Sequence, residues 1–583
     1  MSHGSHEMNG HHVPTYLEVM AYQATREPWS ENIKYGRYTL YFCAATIALF
    51  SLLYAFNTAL FWSRMRRGSA SFPLKSKIFA LARLSTYPRL PYGVAHAVNY
   101  LWAVGPLGPN ILLFLGLLYA SLYCWANPYL FRPPFYGSPP VGLRSEWISV
   151  ALIPFVFVLG SKRNVISWLT GVSHDKLQVF HQGVAFIVVY MAVVHGVTEI
   201  AQSLMERPFS ETYALSGIWW TGFAALGPLL WLWIGSLPFV RKRLYEGFYV
   251  LHIIASILFV GFLYVHGFDI LDTNAYMNAT LALFGFGIGA RIVMMIVTNA
   301  FFSHKAQISI HGDLVRATIP TKMNWAPGTH VFLRFLHIRP LESHPFTILS
   351  IPSAEKNTTN EMVIIIQAVN GFTRVLAEVA ATAPPERKFP VILDGPYGHG
   401  GKNTLRAYET VLLFAGGTGV TFVAPLLEDL TRAMHDKDGV CTNVELVWAV
   451  KTHDTVKLFE SELVKMKNDA TLVGGTVTIR VFVTGGSGDV EKALDSPSSD
   501  KMSTDGGESS DSTPFIWATG RPDIRSIIAE KGKTCTGHVG VAVCGPLGVM
   551  TDAANAVSAV QMDILRGGAS CAEMYLRSES FGW

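Results

Sequence analysis

Two stretches of equal length, each beginning and ending with histidine, decide the fold: residues 181–195 read HQGVAFIVVYMAVVH, and residues 252–266 read HIIASILFVGFLYVH. Thirteen residues, none of them charged, separate the two histidines of each stretch. Fourteen helical steps of about 100° end within about 40° of four whole turns. Both histidines of a stretch therefore lie on one face of a helix, and an imidazole in such an apolar helix is usually functional when it faces a bundle interior.

The matched spacing also sets the depth of each histidine. At about 1.5 Å per residue the two ends of a stretch are about 21 Å apart, so one histidine lies near each membrane boundary. The loop charges predict that both helices run in the same direction across the membrane. His181 is therefore level with His252, and His195 is level with His266. Two haems of the b type, each held by one imidazole from each helix, would form an electron path across the bilayer. Four histidines that only pack against neighbouring helices are the alternative, which two identical spacings disfavour.

The composition indicates a membrane protein in contact with lipid. Half of the 583 residues are apolar or aromatic and only 15% are Asp, Glu, Lys or Arg, whereas soluble proteins have about 25%. The formal charge of +4 provides no basic surface for nucleic acid, so we expect no nucleic-acid partner. A spanning helix needs about 20 apolar residues. Seven runs near that length lie at about 38–62, 108–127, 147–160, 180–200, 216–240, 248–267 and 279–302, of which the third is short.

The basic residues orient these spans through the positive-inside rule. Thirteen Lys and Arg residues lie in alternate loops, seven of them in loop 63–95, and only three lie in the opposite loops. With seven spans this bias predicts an external tail over residues 1–37, a transmembrane domain over 38–302 and a cytosolic half over 303–583. Without the short third span, the basic loops would no longer alternate with the spans, so we retain this span.

Alternating, glycine-punctuated sequence replaces the apolar runs after about residue 303. Residues 329–335, which read THVFLRF, are typical of the short strands of an antiparallel barrel. At the edge of this predicted barrel stands the tetrapeptide His344-Pro345-Phe346-Thr347. Its proline stiffens the strand edge, its phenylalanine offers an apolar surface and its threonine a hydroxyl that donates and accepts hydrogen bonds.

Paired membrane histidines ahead of this tetrapeptide resemble the flavocytochrome b superfamily of ferric reductases and NADPH oxidases, over about residues 108–583. The resemblance implies an FAD-binding barrel over residues 303–402, with the tetrapeptide along the isoalloxazine and ribityl chain and Thr347 near the flavin ring. Asn370-Gly371-Phe372-Thr373, ahead of a predicted helix at 375–381, resembles the family's flavin-diphosphate site; an ordinary turn is the alternative for Gly371. The resemblance places Gly395-Pro396-Tyr397-Gly398 beside the flavin and the nicotinamide.

An α/β pattern follows, which we assign to an NADPH-binding domain over residues 403–583. A strand at 411–415 runs into Gly416-Gly417-Thr418-Gly419 and then a helix through Leu430, an arrangement that binds a dinucleotide pyrophosphate at the helix N-terminus. The turn departs from G-x-G-x-x-G, and the order of barrel and nucleotide domain instead looks like ferredoxin-NADP reductase. Further strands at 444–450, 477–484, 515–518 and 539–544 complete a mostly parallel sheet.

The ends of this predicted sheet carry further candidates. Lys451 and Arg521 are suited to the 2′-phosphate of NADPH, with solvated loop charges as the alternative. The turn Cys544-Gly545-Pro546 resembles the family's turn near the nicotinamide, although a lone cysteine is more often a buried apolar group. By the same resemblance a terminal aromatic residue covers the flavin ring; Trp583 is the first choice and Phe581 the second.

Three features receive no firm role. Residues 485–514 are rich in Ser, Asp and Gly and are predicted to be disordered. The His- and Met-containing tail at the N-terminus is either an external segment that binds copper or iron, a cloning remnant, or a plain disordered tail. Arg291, in the seventh span, is suited to a haem propionate but equally to packing near a helix end.

The sequence therefore predicts a membrane reductase that moves electrons from cytosolic NADPH through FAD and two haems to external Fe(III) or Cu(II) chelates. FAD suits this task because it accepts two electrons together and releases them singly. The seven spans and both thirteen-residue gaps look like fungal ferric reductases, which implies the plasma membrane, or else a vacuole, and an iron permease or oxidase as a candidate partner. A superoxide-generating NADPH oxidase is the second reading, and a haem-containing transporter or sensor is the third.

Overall fold

The computed structural model of the protein describes residues 7–8, 10–26, 28–67, 73–98, 105–300, 303–353, 355, 358–398, 403–485 and 515–580. The chain forms two compact units. The first comprises Met1–Tyr54, Val94–Gly105 and Pro109–Ala290, and the second comprises Ala55–Gly93, Pro106–Gly108 and Arg291–Trp583. The predicted disordered insert, apart from Gly485, lies outside the described residues.

Helices dominate the chain as far as residue 299. A strand pair, β1 (Glu7–Met8) and β2 (His11–His12), precedes them. The described residues of this part form α1 (Tyr16–Arg26), α2 (Ile33–Arg67), α3 (Pro73–Thr86), α4 (Tyr92–Val98), α5 (Leu107–Trp125), α6 (Pro140–Gly160), α7 (Val165–Thr170), α8 (His174–Glu206), α9 (Phe209–Leu215), α10 (Ile218–Gly235), α11 (Pro238–Arg243), α12 (Tyr245–His266) and α13 (Thr273–Asn299). Seven of the described helices are long and apolar enough to cross a membrane, as predicted.

The third span is longer than its apolar run, because α6 begins at Pro140 and has 21 residues. Arg144 and Glu146 interrupt the apolar pattern near the start of α6. The predicted run therefore begins at residue 147, seven residues after the helix itself begins. Arg144 is fully buried, and its two terminal nitrogens donate to the carbonyl oxygens of Cys124 at 3.2 Å and Tyr129 at 2.8 Å. Backbone acceptors thus pair both terminal nitrogens of a guanidinium that lies within the helix bundle.

The predicted barrel is a six-stranded antiparallel sheet in the order β6-β5-β8-β3-β4-β7. Its strands are β3 (Lys305–His311), β4 (Leu314–Thr321), β5 (His330–Phe335), β6 (His344–Thr347), β7 (Asn360–Gln367) and β8 (Lys388–Tyr397), with α14 (Phe372–Ala381) between the last two. Leu349, just after β6, donates its N–H to the carbonyl oxygen of Val363 in β7 at 2.8 Å, which brings the two edge strands together. Alternate residues such as Val331, Leu333 and Ile364 fill the interior.

The nucleotide sheet has six parallel strands in the order β12-β11-β10-β9-β13-β14. Its strands are β9 (Thr410–Gly416), β10 (Asn443–Val450), β11 (Thr476–Val483), β12 (Ile516–Thr519), β13 (His538–Cys544) and β14 (Glu573–Glu579). Its helices are α15 (Val420–Asp436), α16 (Asp454–Lys457), α17 (Glu460–Leu472), α18 (Ile524–Thr534) and α19 (Leu547–Arg566). The sequence predicted this sheet but missed β14, because the charged residues Glu573 and Arg577 interrupt its apolar pattern.

The segment 55–93, which includes most of the predicted basic loop, belongs to the second unit. Helix α3 packs against α19 and β14, and Ala80 of α3 is buried in the core of the nucleotide domain. Arg64 and Arg83 both form ion pairs with Glu573 at the start of β14. We call these three residues the Glu573 cluster.

Candidate functional site

The four membrane histidines form two facing pairs between α8 and α12. The ring centres of His181 and His252 are 6.4 Å apart, and those of His195 and His266 are 6.5 Å apart. A metal bound at about 2 Å by an imidazole nitrogen on each side separates two ring centres by about 6 Å. The pairing predicted from the spacing is therefore present, and each gap fits one axially ligated metal.

In the two histidines of α8, hydrogen bonds at Nδ1 leave the other ring nitrogen, Nε2, available to bind a metal. The Nδ1 atom of His181 lies 2.8 Å from the carbonyl oxygen of Val156, and that of His195 lies 3.1 Å from the carbonyl oxygen of Gly142. A carbonyl oxygen only accepts, so Nδ1 carries the hydrogen and the lone pair lies on Nε2. Partners of this kind orient histidine ligands in metal sites.

The histidines of the second helix, α12, also have hydrogen-bond partners at Nδ1. The Nδ1 atom of His266 lies 3.1 Å from both the carbonyl oxygen of Ile218 and the hydroxyl of Thr221. The Nδ1 atom of His252 lies 3.4 Å from the hydroxyl of Ser236. These supporting residues on α6 and α10 have no periodic signal in the sequence, and only their contacts with the four histidines reveal them.

Two glycines make room for the imidazoles. A Cβ atom on Gly160 would lie 3.1 Å from a ring carbon of His181, and one on Gly222 would lie 3.0 Å from a ring carbon of His266. Both distances are shorter than ordinary van der Waals contact. The donor set, its orienting hydrogen bonds and the ring separations of 6.4 and 6.5 Å therefore fit a haem iron held by two imidazoles at each level.

The predicted flavin segments meet on three neighbouring strands. In β6, Thr347 is paired with His330 of β5, and His330 is paired on its other side with Tyr397 of β8. The rings of His330 and Tyr397 stack with their centres 6.0 Å apart. The structure thus brings the His344–Thr347 strand and the Gly395–Gly398 turn to one place, with His330, which the sequence did not single out, between them.

The predicted flavin-diphosphate turn lies beside the same strand. Gly371 has a positive φ of 58° immediately before α14, a conformation that favours glycine. Thr373 donates its hydroxyl to the carbonyl oxygen of Asn370 at 3.1 Å. The ring of Phe372 stacks on His344 with centres 4.6 Å apart, which joins the two motifs. The helix begins at Phe372, earlier than the predicted residue 375.

The glycine turn after β9 packs closely against the turn after β13. A Cβ atom on Gly419 would lie 2.3 Å from the carbonyl oxygen of Cys544, and one on Gly416 would lie 2.7 Å from the ring of Pro546. Trp448 of β10 donates its indole N–H to the carbonyl oxygen of Gly417 at 2.9 Å. The Gly416–Gly419 and Cys544–Pro546 motifs therefore form one surface at the carboxyl edge of the parallel sheet, where α/β folds bind nucleotides.

The remaining predicted contacts differ in accessibility. Lys451 and Arg521 are exposed and follow β10 and β12 at that same edge. Cys544 is fully buried, and burial raises the pKa of its thiol well above the ordinary value, so the thiol stays neutral. Trp583 and Phe581 lie outside the described residues.

These features define a class of protein: a multi-pass membrane protein that joins a bis-histidine bundle to a flavin barrel and a nucleotide-binding sheet. Three family models match it in that order. They are the ferric reductase like transmembrane component over residues 145–263, an FAD-binding domain over 300–400, and the ferric reductase NAD binding domain over 408–558. The chain belongs to the ferric reductase family of flavocytochromes b, and its cofactors are FAD, NADPH and haem.

Two fungal relatives illustrate the similarity. The probable cell surface ferric reductase kap2 of Aspergillus oryzae is 30% identical over 65% of this chain, which spans 52% of that protein's length. Ferric/cupric reductase transmembrane component 7 of Saccharomyces cerevisiae is 26% identical over 83% of this chain and 79% of its own length. Ferredoxin-NADP+ reductase from Plasmodium falciparum matches 48% of this chain with a TM-score of 0.31 and 10% identity, too weak to establish a shared fold.

Proposed function

We propose that this protein is a transmembrane ferric or cupric chelate reductase that moves electrons from cytosolic NADPH, through FAD and two haems, to a metal chelate outside. The observation that carries the proposal is the pair of facing imidazoles at two levels of α8 and α12, joined in one chain to FAD- and NAD-binding domains. FAD supplies the conversion of one two-electron step into two one-electron steps.

The residues of the chain have these proposed roles. His181 and His252 hold the inner haem, and His195 and His266 hold the outer one. Further proposed contacts are Thr347, Gly371, Thr373 and Tyr397 for FAD, Gly416 to Gly419 and Gly545 for the NADPH pyrophosphate and nicotinamide, Lys451 and Arg521 for the 2′-phosphate, and Trp583 for the flavin ring.

The location and the acceptor are also proposals. The charge bias of the loops supports an external N-terminus and a cytosolic dehydrogenase half, and the relative described as a cell surface reductase supports the plasma membrane. Both relatives are named for the reduction of ferric or cupric ions, which supports a metal chelate over dioxygen as the acceptor.

A whole-cell assay with an impermeant ferric chelate, with and without superoxide dismutase, tests the activity. We expect reduction that superoxide dismutase does not inhibit and that His195→Ala abolishes. His311→Ala, which changes an exposed histidine of β3, is the matched control and should leave reduction intact. Reduction that superoxide dismutase removes, with oxygen consumption accounting for the NADPH used, would establish the oxidase instead.

A further inference from the structure

Arg291 near the end of α13 forms a part-buried polar link with β8. Its Nε and Nη2 atoms both donate to Oδ2 of Asp394, at 2.9 and 2.7 Å. The side chain of Asp394 is only 7% exposed, and its other oxygen, Oδ1, accepts the hydroxyl of Tyr397 at 2.6 Å. One carboxylate therefore connects the guanidinium to the phenol through charge-assisted hydrogen bonds.

A β-bulge makes this link geometrically feasible. Residues three apart in a regular strand point to opposite faces of the sheet. Here β5 pairs Phe332 with Asp394 and His330 with Tyr397, so β8 has one more residue than β5 over the same interval. The extra residue turns the Tyr397 side chain to the side of Asp394, as bulges do when they redirect a side chain.

The rest of the tyrosine is held by ring contacts. Its ring stacks on His330 at 6.0 Å and meets Phe332 edge-on at 5.5 Å. His330 is the residue paired with Thr347 across β5 and β6. The ring thus forms one wall beside the proposed flavin contact, and the link to Arg291 fixes its hydroxyl end.

Asn299 makes a second polar contact with β8. The amide of Asn299, two turns further along α13, donates to the carbonyl oxygen of Leu393 at 2.8 Å and accepts its N–H at 3.0 Å. This bidentate contact holds the same strand one residue before Asp394, so Asn299 and Arg291 can be tested separately for attachment and for an effect on Tyr397.

We propose that Arg291 is a positioning residue for the flavin, acting through Asp394 on the Tyr397 side chain. The inference rests on the proposed FAD site and extends it to a residue of the seventh span. Loss of the link should let the tyrosine ring turn away from the flavin, which changes the environment of the isoalloxazine.

The test uses the purified full-length holoprotein and four variants. Arg291→Met and Tyr397→Phe each break the link, Arg291→Lys retains a charged donor, and Asn299→Ala removes only the docking contact. FAD content, the visible flavin spectrum and the flavin midpoint potential are measured, together with the KM for NADPH and thermal stability.

We expect Arg291→Met and Tyr397→Phe to shift the flavin spectrum and midpoint potential in the same direction, with little further shift in the double variant, because the two residues act through one carboxylate. Arg291→Lys should restore part of the wild-type value, and Asn299→Ala should lower stability without moving the potential. Tyr397→Phe keeps Asp394 paired with Arg291, so it remains informative even if Arg291→Met does not fold.

The proposal is overturned if the Arg291 and Tyr397 variants bind FAD with wild-type spectrum and potential and lose only stability, as Asn299→Ala does. Failure of the proposed function has a different signature. The wild-type protein itself would then either contain no FAD that NADPH reduces or pass its electrons to dioxygen instead of the ferric chelate, whatever the variants show.

Discussion

Glu573→Gln is the most direct test of how segment 55–93 is held on the nucleotide domain. Burial raises the carboxyl pKa, but the charges of Arg83 and Arg64 outweigh it and lower the pKa of Glu573 from 4.5 to about 2. The side chain is 5% exposed, so solvent screens these charges little. A shift of this size corresponds to about 3 kcal/mol of stability at neutral pH, at about 1.4 kcal/mol per pKa unit.

The amide variant removes the charge and leaves two guanidinium groups beside it. Breaking a buried ion pair by removal of one partner costs about 3–5 kcal/mol. For a domain of the predicted size of the nucleotide domain, each kcal/mol lowers the unfolding temperature by about 2–4 °C. We therefore expect Glu573→Gln to lower the unfolding temperature of this domain by roughly 10 °C at neutral pH.

The pH dependence has a definite sign. Because the pKa of Glu573 is lower in the folded protein, its contribution is complete above about pH 4.5 and is lost as the pH falls toward 2. The difference between wild type and Glu573→Gln should be constant from pH 7 to 5 and should shrink below 4.5. Thermal unfolding of the detergent-solubilised protein, followed by fluorescence, measures both effects.

An exposed ion pair of the same domain provides the matched control. Arg525 and Asp552 are 2.7 Å apart, and their side chains are 68% and 44% exposed. Exposed pairs contribute about 0–1 kcal/mol, so Asp552→Asn should change the unfolding temperature little. If Glu573→Gln behaves like Asp552→Asn at pH 7, the Glu573 cluster does not stabilise the domain and the reasoning is wrong.

Three further outcomes are expected. His195→Ala or His266→Ala should lose one haem per chain, counted spectroscopically, while NADPH still reduces the flavin; full haem content in both variants contradicts the ligand assignment. Gly419→Ala, whose Cβ would lie 2.3 Å from a backbone oxygen, should raise the KM for NADPH at least several-fold, whereas Gly548→Ala, which has open space, should not. Deletion of Trp583 should improve the use of NADH relative to NADPH, and identical kinetics with both nucleotides before and after deletion would remove Trp583 from the mechanism.

Periodicity predicted the parts of the fold that repeat. The two histidine spacings were sufficient to pair His181 with His252 and His195 with His266, because a helix converts spacing directly into direction and depth. Strands β9, β10, β11 and β13 were predicted because parallel strands buried on both faces are continuous apolar runs.

The missed elements contain buried charged residues whose partners lie in other elements. The start of α6 was missed at Arg144, whose partners are backbone carbonyl groups of the preceding helix and loop. Strand β14 was missed at Glu573, whose two arginine partners are 509 and 490 residues away. The His330 contact and the Ser236 and Thr221 hydroxyls were missed for a related reason: single polar residues acquire a role only when another segment approaches them.

The packing of α3 on β14 has a consequence for biogenesis. Arg83 and Glu573 are 490 residues apart, so at about 5–20 residues per second the ribosome needs roughly 25–100 s to supply the partner after the arginine has been made. During that time six membrane spans must insert. Helix α3 meanwhile has no β14 to pack against, so its apolar face is accessible to chaperones or to incorrect contacts. A dehydrogenase fragment that begins near residue 303 would have the converse defect, because the edge of β14 would be uncovered and Glu573 would lack both of its arginine partners.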